Sequence, residues 1–285
     1  MKFGFVAKHR GIWPVAVMCG TLGVSRGGFY AWQDRPRSPR ALDDERLGKR
    51  IQHSFIDSDR TYGARRVWFD VRALGFECGL HRIERLMQVL GLRARPRRRG
   101  LPKDAGTRSR IADNVLDRQF TAQAPNQKWV ADFTYIWTAE GWLFVAVVLD
   151  LFSRRVVGWS MHSSMTSHLV ADALMMAVWR RGKPPALLHH SDQGSQYTSG
   201  HFQDLLKAHG IQCSMSRAGE VWDNSAMESF FSSLKTERIG RKVYRTRDQV
   251  KAEVFDYIER FYNPTRRHST LGYVSPIDFE KAQRA

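Results

Sequence analysis

The sequence predicts an α/β protein in which a sheet-forming part, residues 121–285, follows an all-helical part, residues 1–120. In the first part apolar residues recur at spacings of three and four, whereas the second contains alternating and continuous apolar runs typical of strands. Charge divides the chain at the same place. The first part has 25 Lys and Arg against 12 Asp and Glu, and the second has 20 against 16. The basic first part therefore indicates a polyanion-binding unit.

The whole chain has a net charge of +17 and a pI of about 10.3. Ribosomal and membrane-surface proteins can be equally basic, so charge alone does not identify DNA as the polyanion. The longest apolar stretch, residues 142–149, is far shorter than the ~20 residues of a membrane helix, and no secretory signal opens the chain. The three cysteines are too widely spaced for a disulfide framework or a zinc cluster. We therefore expect a cytoplasmic protein with no membrane partner.

Residues 13–33, WPVAVMCGTLGVSRGGFYAWQ, predict two short helices joined by a turn at Gly23, with Ser25 as the N-cap of the second helix. This spacing is typical of a helix-turn-helix, whose second helix enters the major groove of DNA. A helical hairpin with another role has the same pattern, so the two interpretations stay equally open. Residues 34–60 are polar and predict a linker followed by the start of a helix, and we place the first domain at residues 1–58.

A second helical unit with a basic linker is predicted over residues 59–120. Its two helices, GARRVWFDVRAL and LHRIERLMQVLGL, each have one apolar stripe, which predicts a buried face. The segment that follows has six cations and no acid within eleven residues: Arg93, Arg95, Arg97, Arg98, Arg99 and Lys103. We interpret this segment as a linker that follows DNA phosphates.

The elements of residues 121–285 follow from their patterns in order. KWVADFTYIW alternates and predicts a strand, GWLFVAVVLDLFSRRVVGWSM predicts a hairpin around DLFSR, and residues 166–181 predict a helix. A buried strand is expected to end near Leu187 and Leu188. A helix from about Ser199, a brief strand at residues 211–213 and an amphipathic helix at residues 219–238 complete the part.

Three carboxylates stand at distant points of this predicted sheet. Asp132 lies inside the first strand, Asp192 follows a strand end, and Glu228 lies on the late helix, with 35 residues between the last two. A buried acid is costly unless it is paired or ligates a metal. Three such oxygen ligands suit two Mg²⁺ ions, which could clamp the attacking and leaving oxygens of a phosphoryl displacement. Asp192 could equally be a turn or helix-capping residue.

Five ordered sequence blocks resemble the transposases of insertion-sequence family three, and specifically their second-reading-frame product in the retroviral integrase superfamily. The blocks are WVADFTYI, LDLFSRRVVGW, HHSDQGSQYTS, WDNSAMESFFSSLKTE and YNPTRRHSTLGYVSPIDFE. WPVAVMCGTLGVSRGGFYAW and YGARRV extend the resemblance to the front end, so that it covers essentially the whole chain. The resemblance implies a ribonuclease-H-like catalytic core, a mixed sheet flanked by helices, over residues 121–285.

The resemblance also implies the site residues. The Asp-Asp-Glu triad of the family falls on Asp132, Asp192 and Glu228, which would be both catalytic and metal-binding. Two Mg²⁺ ions are expected, and Mn²⁺ could substitute. Lys235, seven residues after Glu228, would hold a DNA phosphate, and we also place Asn224 on DNA. Family members more often have Ala at the position of Ser225.

Around Asp192 we expect Gly194 to permit a close backbone approach. The side chains of Gln193, Ser195 and Gln196 are expected to hydrogen-bond phosphate. His189 and His190 are expected to pack at the strand end rather than to ligate metal, and Asp150 is expected to be structural.

The implied reaction is strand cleavage at the ends of an insertion sequence, followed by attack of the freed 3′-hydroxyl on another phosphodiester. The implied partners are double-stranded DNA, a second copy of the chain and the first-reading-frame product, in the bacterial cytoplasm at the nucleoid. Two alternatives stay open. A nuclease of the same fold could act on RNA–DNA hybrids, and a catalytically silent descendant of a transposase could act as a DNA-binding regulator.

Overall fold

The computed structural model describes residues 1–34, 38–95, 112–117, 121–182, 184–216, 224–240 and 242–283. The N-terminal part contains three helices: α1 (Lys2–His9), α2 (Val15–Thr21) and α3 (Arg26–Gln33). The predicted helix-turn-helix corresponds to α2 and α3. Ser25 caps α3, because its side chain accepts a hydrogen bond from the Gly28 amide at 2.9 Å. Helix α1 was not predicted, and it contributes Val6 to a small core with Met18 and Phe29.

Three further helices form the second helical unit: α4 (Pro39–Asp57), α5 (Ala64–Ala73) and α6 (Leu80–Val89). The predicted boundary at residue 58 separates α4 from α5 and α6, but the structure packs all three around one core. The reason is that Leu47, Ile51 and Phe55 recur every four residues along the otherwise polar α4 and are all buried. The second unit therefore begins with α4 rather than after it.

Residues 121–283 contain one mixed sheet in the order β3-β2-β1-β4-β5. The strands are β1 (Lys128–Thr138), β2 (Gly141–Asp150), β3 (Val156–His162), β4 (Leu188–Ser191) and β5 (Gln212–Met215). Strands β1, β2 and β3 form an antiparallel meander, β4 pairs parallel to β1, and β5 pairs parallel to β4. The predicted hairpin is confirmed, but β4 begins at Leu188, where the sequence predicted a strand to end. His189, His190 and Ser191 therefore lie inside the strand.

Helices cover both faces of the sheet, and this confirms the predicted α/β fold. The helices of this part are α7 (Ser167–Arg181), α8 (Gly200–Ala208), α9 (Ser225–Leu234), α10 (Arg247–Phe255) and α11 (Pro276–Ala282). Helices α7 and α8 pack on one face, whereas α9 and α10 pack on the other, in the same hydrophobic cluster as the second helical unit. Helix α9 continues as a π-helix, Lys235–Ile239. Residues 219–223 of the helix predicted at 219–238 lie outside the described residues.

The second helical unit is joined to the sheet-forming part by polar contacts as well as by the shared core. Arg267 donates from Nε to Asp70 Oδ1 at 2.5 Å, and its backbone amide donates to the Tyr62 hydroxyl at 3.0 Å. The Tyr62 ring lies 6.2 Å from that of Phe261. The basic helical unit is thereby held against the face of the sheet that carries α9.

Gly158 of β3 permits the close packing of α7 on the sheet. A Cβ atom at this position would lie 2.1 Å from the Ala173 carbonyl oxygen and 2.8 Å from the Ala177 Cβ. Only a residue without a side chain fits such a separation, so the approach of α7 depends on this glycine. Within the described ranges, no helix combines the length and the apolar character needed to span a membrane.

Candidate active site

Strand register places Asp132 and Asp192 next to each other. In the parallel pair of β1 and β4, Val130 is opposite His190, and each aspartate lies two residues further along its own strand direction. Neighbouring strands are ~4.8 Å apart, and residues two apart on one strand point to the same face of the sheet. Because β4 ends at Ser191, the chain turns away directly after it, and Asp192 lies at the opening that this turn creates.

Alternation along β1 directs Asp132 toward α9. Trp129 and Ala131 belong to the hydrophobic cluster under α7 and α8, whereas Val130 belongs to the cluster under α9. Asp132 shares the face of Val130, because alternate residues of a strand point to the same side of the sheet. Its Oδ1 accepts a hydrogen bond from the Phe133 amide at 2.7 Å. The carboxylate thus faces the helix that carries Glu228.

The turn after β4 fixes the Asp192 carboxylate. Its Oδ1 accepts a hydrogen bond from the Gly194 amide at 3.0 Å, and a Cβ atom added to Gly194 would lie 3.0 Å from the same oxygen. The side-chain Nε2 of Gln193 donates to the Ser216 carbonyl, and the side-chain Nε2 of Gln196 donates to the Met165 carbonyl. Both glutamine side chains are buried. The two glutamine side chains therefore brace the turn, and hydrogen bonds from them to phosphate stay a prediction. Ser195 is exposed.

The charges of Asp192 and Glu228 both act on Asp132. Burial first, and then the charge of Asp192, raise the pKa of Asp132 to about 8, and the charge of Glu228 acts in the same direction. Partial burial raises the pKa of Glu228 as well. Asp132 thus carries a charge that two further carboxylates oppose, an arrangement that a bound cation would relieve. Even so, in the part of the chain that the structure describes, no three His, Cys, Asp or Glu side chains form a group that could enclose a metal ion.

Lys235 lies at the edge of the same site. Its Nζ stands over the Tyr135 ring, 5.5 Å from the centroid, and its charge lowers the pKa of Asp132. Burial lowers the pKa of Lys235, while Asp132 opposes this shift. The Lys235 side chain packs partly against the site but keeps solvent-exposed surface, so it can reach a ligand bound beside the carboxylates. Tyr135, which the sequence analysis did not select, holds it there through a cation–π contact.

The remaining predicted DNA-binding residues fall in different surroundings. Asn224 is buried before α9, where its Nδ2 donates to the Ala131 carbonyl at 3.3 Å and so ties α9 to β1. Arg93 is exposed, whereas Arg95 donates to the Glu237 carbonyl and lies 3.8 Å from Asp59. Their contacts with DNA stay predictions. Arg97, Arg98, Arg99 and Lys103 lie outside the described residues.

Two buried histidines of β4 lie beside the site and pack as expected. His190 hydrogen-bonds Ser214 Oγ at 2.9 Å and Ser216 Oγ at 3.1 Å. Burial lowers the pKa of His189 to about 3, so this ring is neutral, and it packs 5.4 Å from Phe202. Asp150 is structural, because it accepts hydrogen bonds from the Asn126 and Phe152 amides. Tyr197, which was not predicted, is buried near both aspartates, and burial and their charges raise its pKa.

Comparison with known sequences identifies the family. Residues 122–220 and 228–283 match models described as an integrase core domain, and residues 42–100 match an HTH-like domain. The transposase InsF of insertion sequence IS3A from Escherichia coli strain K12 is 41% identical over 288 residues, which cover all of both chains. The chain belongs to the IS3 transposase family. A protein of insertion element IS600 from Shigella sonnei is 39% identical over 93% of the transposase and 97% of its own length.

Several solved structures are similar to the transposase in part. The catalytic core domain of BIV integrase covers 56% of the transposase and 96% of its own chain, with 19% identity and a TM-score of 0.42. The match to the HTLV-2 integrase catalytic core domain in complex with magnesium covers 40% of the transposase and 70% of the integrase chain, with 25% identity and a TM-score of 0.34. The mixed sheet with helices on both faces and the integrase core match together confirm the predicted ribonuclease-H-like fold.

Proposed function

We propose that this transposase cleaves one DNA strand at the ends of its insertion sequence and joins the freed 3′-hydroxyl to a second phosphodiester, using Asp132, Asp192 and Glu228. The observation that carries the proposal is the strand register that sets Asp132 beside Asp192 at the end of β4, with the charge of Glu228 acting on Asp132. An acidic triad from two neighbouring strands and a facing helix suits oxygen-ligated divalent cations. In this proposal the transposition activity of the family depends on these three carboxylates.

The donor set fits Mg²⁺, with Mn²⁺ as a substitute, because all three side chains are hard oxygen ligands. We assign Asp132 and Asp192 as the ligands from the sheet and Glu228 as the ligand from α9. When two such ions are bound, they supply an activated water and neutralise charge on the reacting phosphodiester. Lys235 holds a neighbouring DNA phosphate, and the Tyr135 ring keeps its ammonium group at the site. Gly194 and the braced turn after β4 keep the Asp192 carboxylate in place.

DNA and further protein chains complete the proposed assembly. The helix-turn-helix and the basic segment that begins at Arg93 would bind the duplex through phosphates, because residues 1–120, which contain both, hold most of the excess positive charge. Strand transfer joins two DNA ends, so we propose that at least two copies act together. The first-reading-frame product, fused or separate, would then contribute recognition of the element ends.

The experiment is an excision assay in cells that express the chain with its upstream reading frame. Joined element ends are amplified and quantified for the wild type, Asp192→Asn, Glu228→Gln and the control Asp204→Asn, whose carboxylate is exposed on α8. The triad variants should lower the yield of junctions by roughly two orders of magnitude or more, whereas the control should equal the wild type. Equal yields from the wild type and Glu228→Gln would refute the assignment. DNA binding without junctions from any version would favour the silent regulator.

A further inference from the structure

A cavity of about 280 Å³ lies on the α9 face of the sheet, outside the carboxylate site. Three arginines from separate parts of the chain line it: Arg66 of α5, Arg154 of the turn between β2 and β3, and Arg266 of the C-terminal segment. Within the described residues its lining contains no Asp or Glu. We call it the arginine cavity. Because three distant segments converge there, the concentration of positive charge depends on the tertiary structure.

One buried carboxylate behind the cavity neutralises part of this charge. Glu237 accepts two hydrogen bonds of 2.7 Å from Arg266 and lies 3.5 Å from Arg66. Arg154, in contrast, has no hydrogen bond or ion pair from its guanidinium to any residue that the structure describes. Three guanidinium groups and one carboxylate leave two positive charges unmatched. Burial, and then the charges of these three arginines, lower the pKa of His268 to about 2, so its imidazole is neutral.

Hydroxyl groups complete the donor set of the arginine cavity. Ser225, Ser229 and Ser233 line it from α9, four residues apart and therefore along one side of the helix. Guanidinium and hydroxyl groups are among the side-chain donors that bind phosphate oxygens in protein–DNA complexes. A cavity below the usual size of a small-molecule site, with unmatched positive charge and several donors, suits one phosphate group.

We infer that the arginine cavity binds one backbone phosphate of the DNA strand that is held at the carboxylate site. Ser225 and Ser229 of the cavity wall lie within one helical turn of Glu228 on α9, so the arginine cavity and the carboxylate site are neighbours along the same helix. This inference rests on the proposed function, because it takes DNA as the substrate. The phosphate contact would fix the strand relative to α9 without touching the reacting atoms. Free inorganic phosphate or polyphosphate is the other possible source of the same group.

The first test measures how duplex DNA affinity depends on salt. Neutralising one phosphate contributes about −0.9 to the slope of log K against log salt. The slope for Arg154→Gln should therefore be shallower than the wild-type slope by about 0.9. Between roughly 50 and 200 mM NaCl, the loss of affinity of the variant should then be about 3.5 times smaller than the loss of affinity of the wild type. Lys207→Gln is the matched control, since it removes one exposed cation from α8 on the opposite face. Equal slopes for Arg154→Gln and the wild type would overturn the inference.

A second measurement locates the contact and separates the two sources of phosphate. Duplexes with single uncharged methylphosphonate linkages are scanned against the wild type and Arg154→Gln. At one position the substitution should weaken wild-type binding but leave Arg154→Gln unaffected, whereas every other position should affect both equally. If instead tripolyphosphate raises the melting temperature of the wild type alone and no linkage distinguishes the two, the DNA assignment is overturned. Failure of either measurement leaves the junction assay interpretable, because that assay depends on the triad.

Discussion

Replacing Glu237 by Gln tests the charge balance on the α9 face. Glu237 forms ion pairs with Arg66 and Arg266. The side chains of Glu237 and Arg266 are only 10% and 6% exposed. Tyr257 donates a further hydrogen bond of 2.8 Å to the same carboxylate. Burial by itself would raise the pKa of Glu237, but the hydrogen bonds and charge of Arg266 hold it below its usual value. The folded state therefore favours the ionised carboxylate.

Removing one partner of a buried ion pair costs ~3–5 kcal/mol, because the other charge is left uncompensated. Glutamine retains one acceptor oxygen for Arg266, so we expect Glu237→Gln to lower the free energy of unfolding at pH 7 by about 3 kcal/mol. A lowered pKa stabilises the fold above the unfolded-state value of 4.5 and ceases to do so as the pH falls through the folded-state value. The difference between variant and wild type should therefore shrink in acid.

Urea unfolding followed by tryptophan fluorescence measures both effects. Glu45→Gln is the control, because Glu45 forms an exposed helical ion pair with Lys49, and we expect that variant to stay within ~0.5 kcal/mol of the wild type. A cost below about 1 kcal/mol for Glu237→Gln, or a cost that does not change with pH, would refute the reasoning. Either result would mean that solvent, rather than Glu237, compensates the arginines.

The other predictions concern the carboxylate site and the packing of α7. The raised pKa of Asp132 means that its ionisation opposes folding, with a cost that is absent below about pH 3.8 and grows toward pH 8. Asp132→Asn should therefore stabilise the metal-free protein increasingly from pH 4 to 8, by at most about 4 kcal/mol at pH 7, as measured by urea unfolding. Asp204→Asn should show no such trend, and a flat profile for Asp132→Asn would contradict the coupling. Millimolar MgCl₂ should raise the melting temperature of the wild type but not that of Asp132→Asn, and equal shifts would remove Asp132 from the ligand set. Gly158→Ala should lower the free energy of unfolding by ~1–3 kcal/mol or more, because its Cβ would overlap the α7 backbone. Gly20→Ala in the open α2 position should be neutral or stabilising by ~0.5–1 kcal/mol, so the Gly158 explanation fails if the two variants behave alike.

Local sequence patterns were sufficient to predict features that depend on a single helix or strand. Alternation in β1 predicts the face on which Asp132 lies, and Ser25 predicts the start of α3, because both depend on neighbours a few residues away. The same reasoning missed the membership of α4 in the second helical unit. Its four-residue apolar repeat is sparse among charged residues, and composition averaged over residues 34–60 concealed it.

Other features depended on register and on distant partners. Gln193 and Gln196 have side chains that can hydrogen-bond phosphate, but the turn after β4 directs both side-chain amides to backbone carbonyls. Asn224 lies one helical turn before Glu228, yet its side chain is buried against β1. In each case the side-chain amide donates a hydrogen bond to a backbone carbonyl of the fold. Such a bond is expected, because a polar group that is buried without a hydrogen-bond partner destabilises the folded state.

By itself, the sequence determined the fold class and the family and predicted the three acids, because these follow from residue types, their order and local periodicity. Only the tertiary structure decided which acids face one another, which polar side chains are already engaged, and that Arg66, Arg154 and Arg266 surround one cavity. These three arginines are separated by about a hundred residues each in the chain. Electrostatic interactions depend on distance in space and on burial, which the chain acquires only when its sheet and helices pack together.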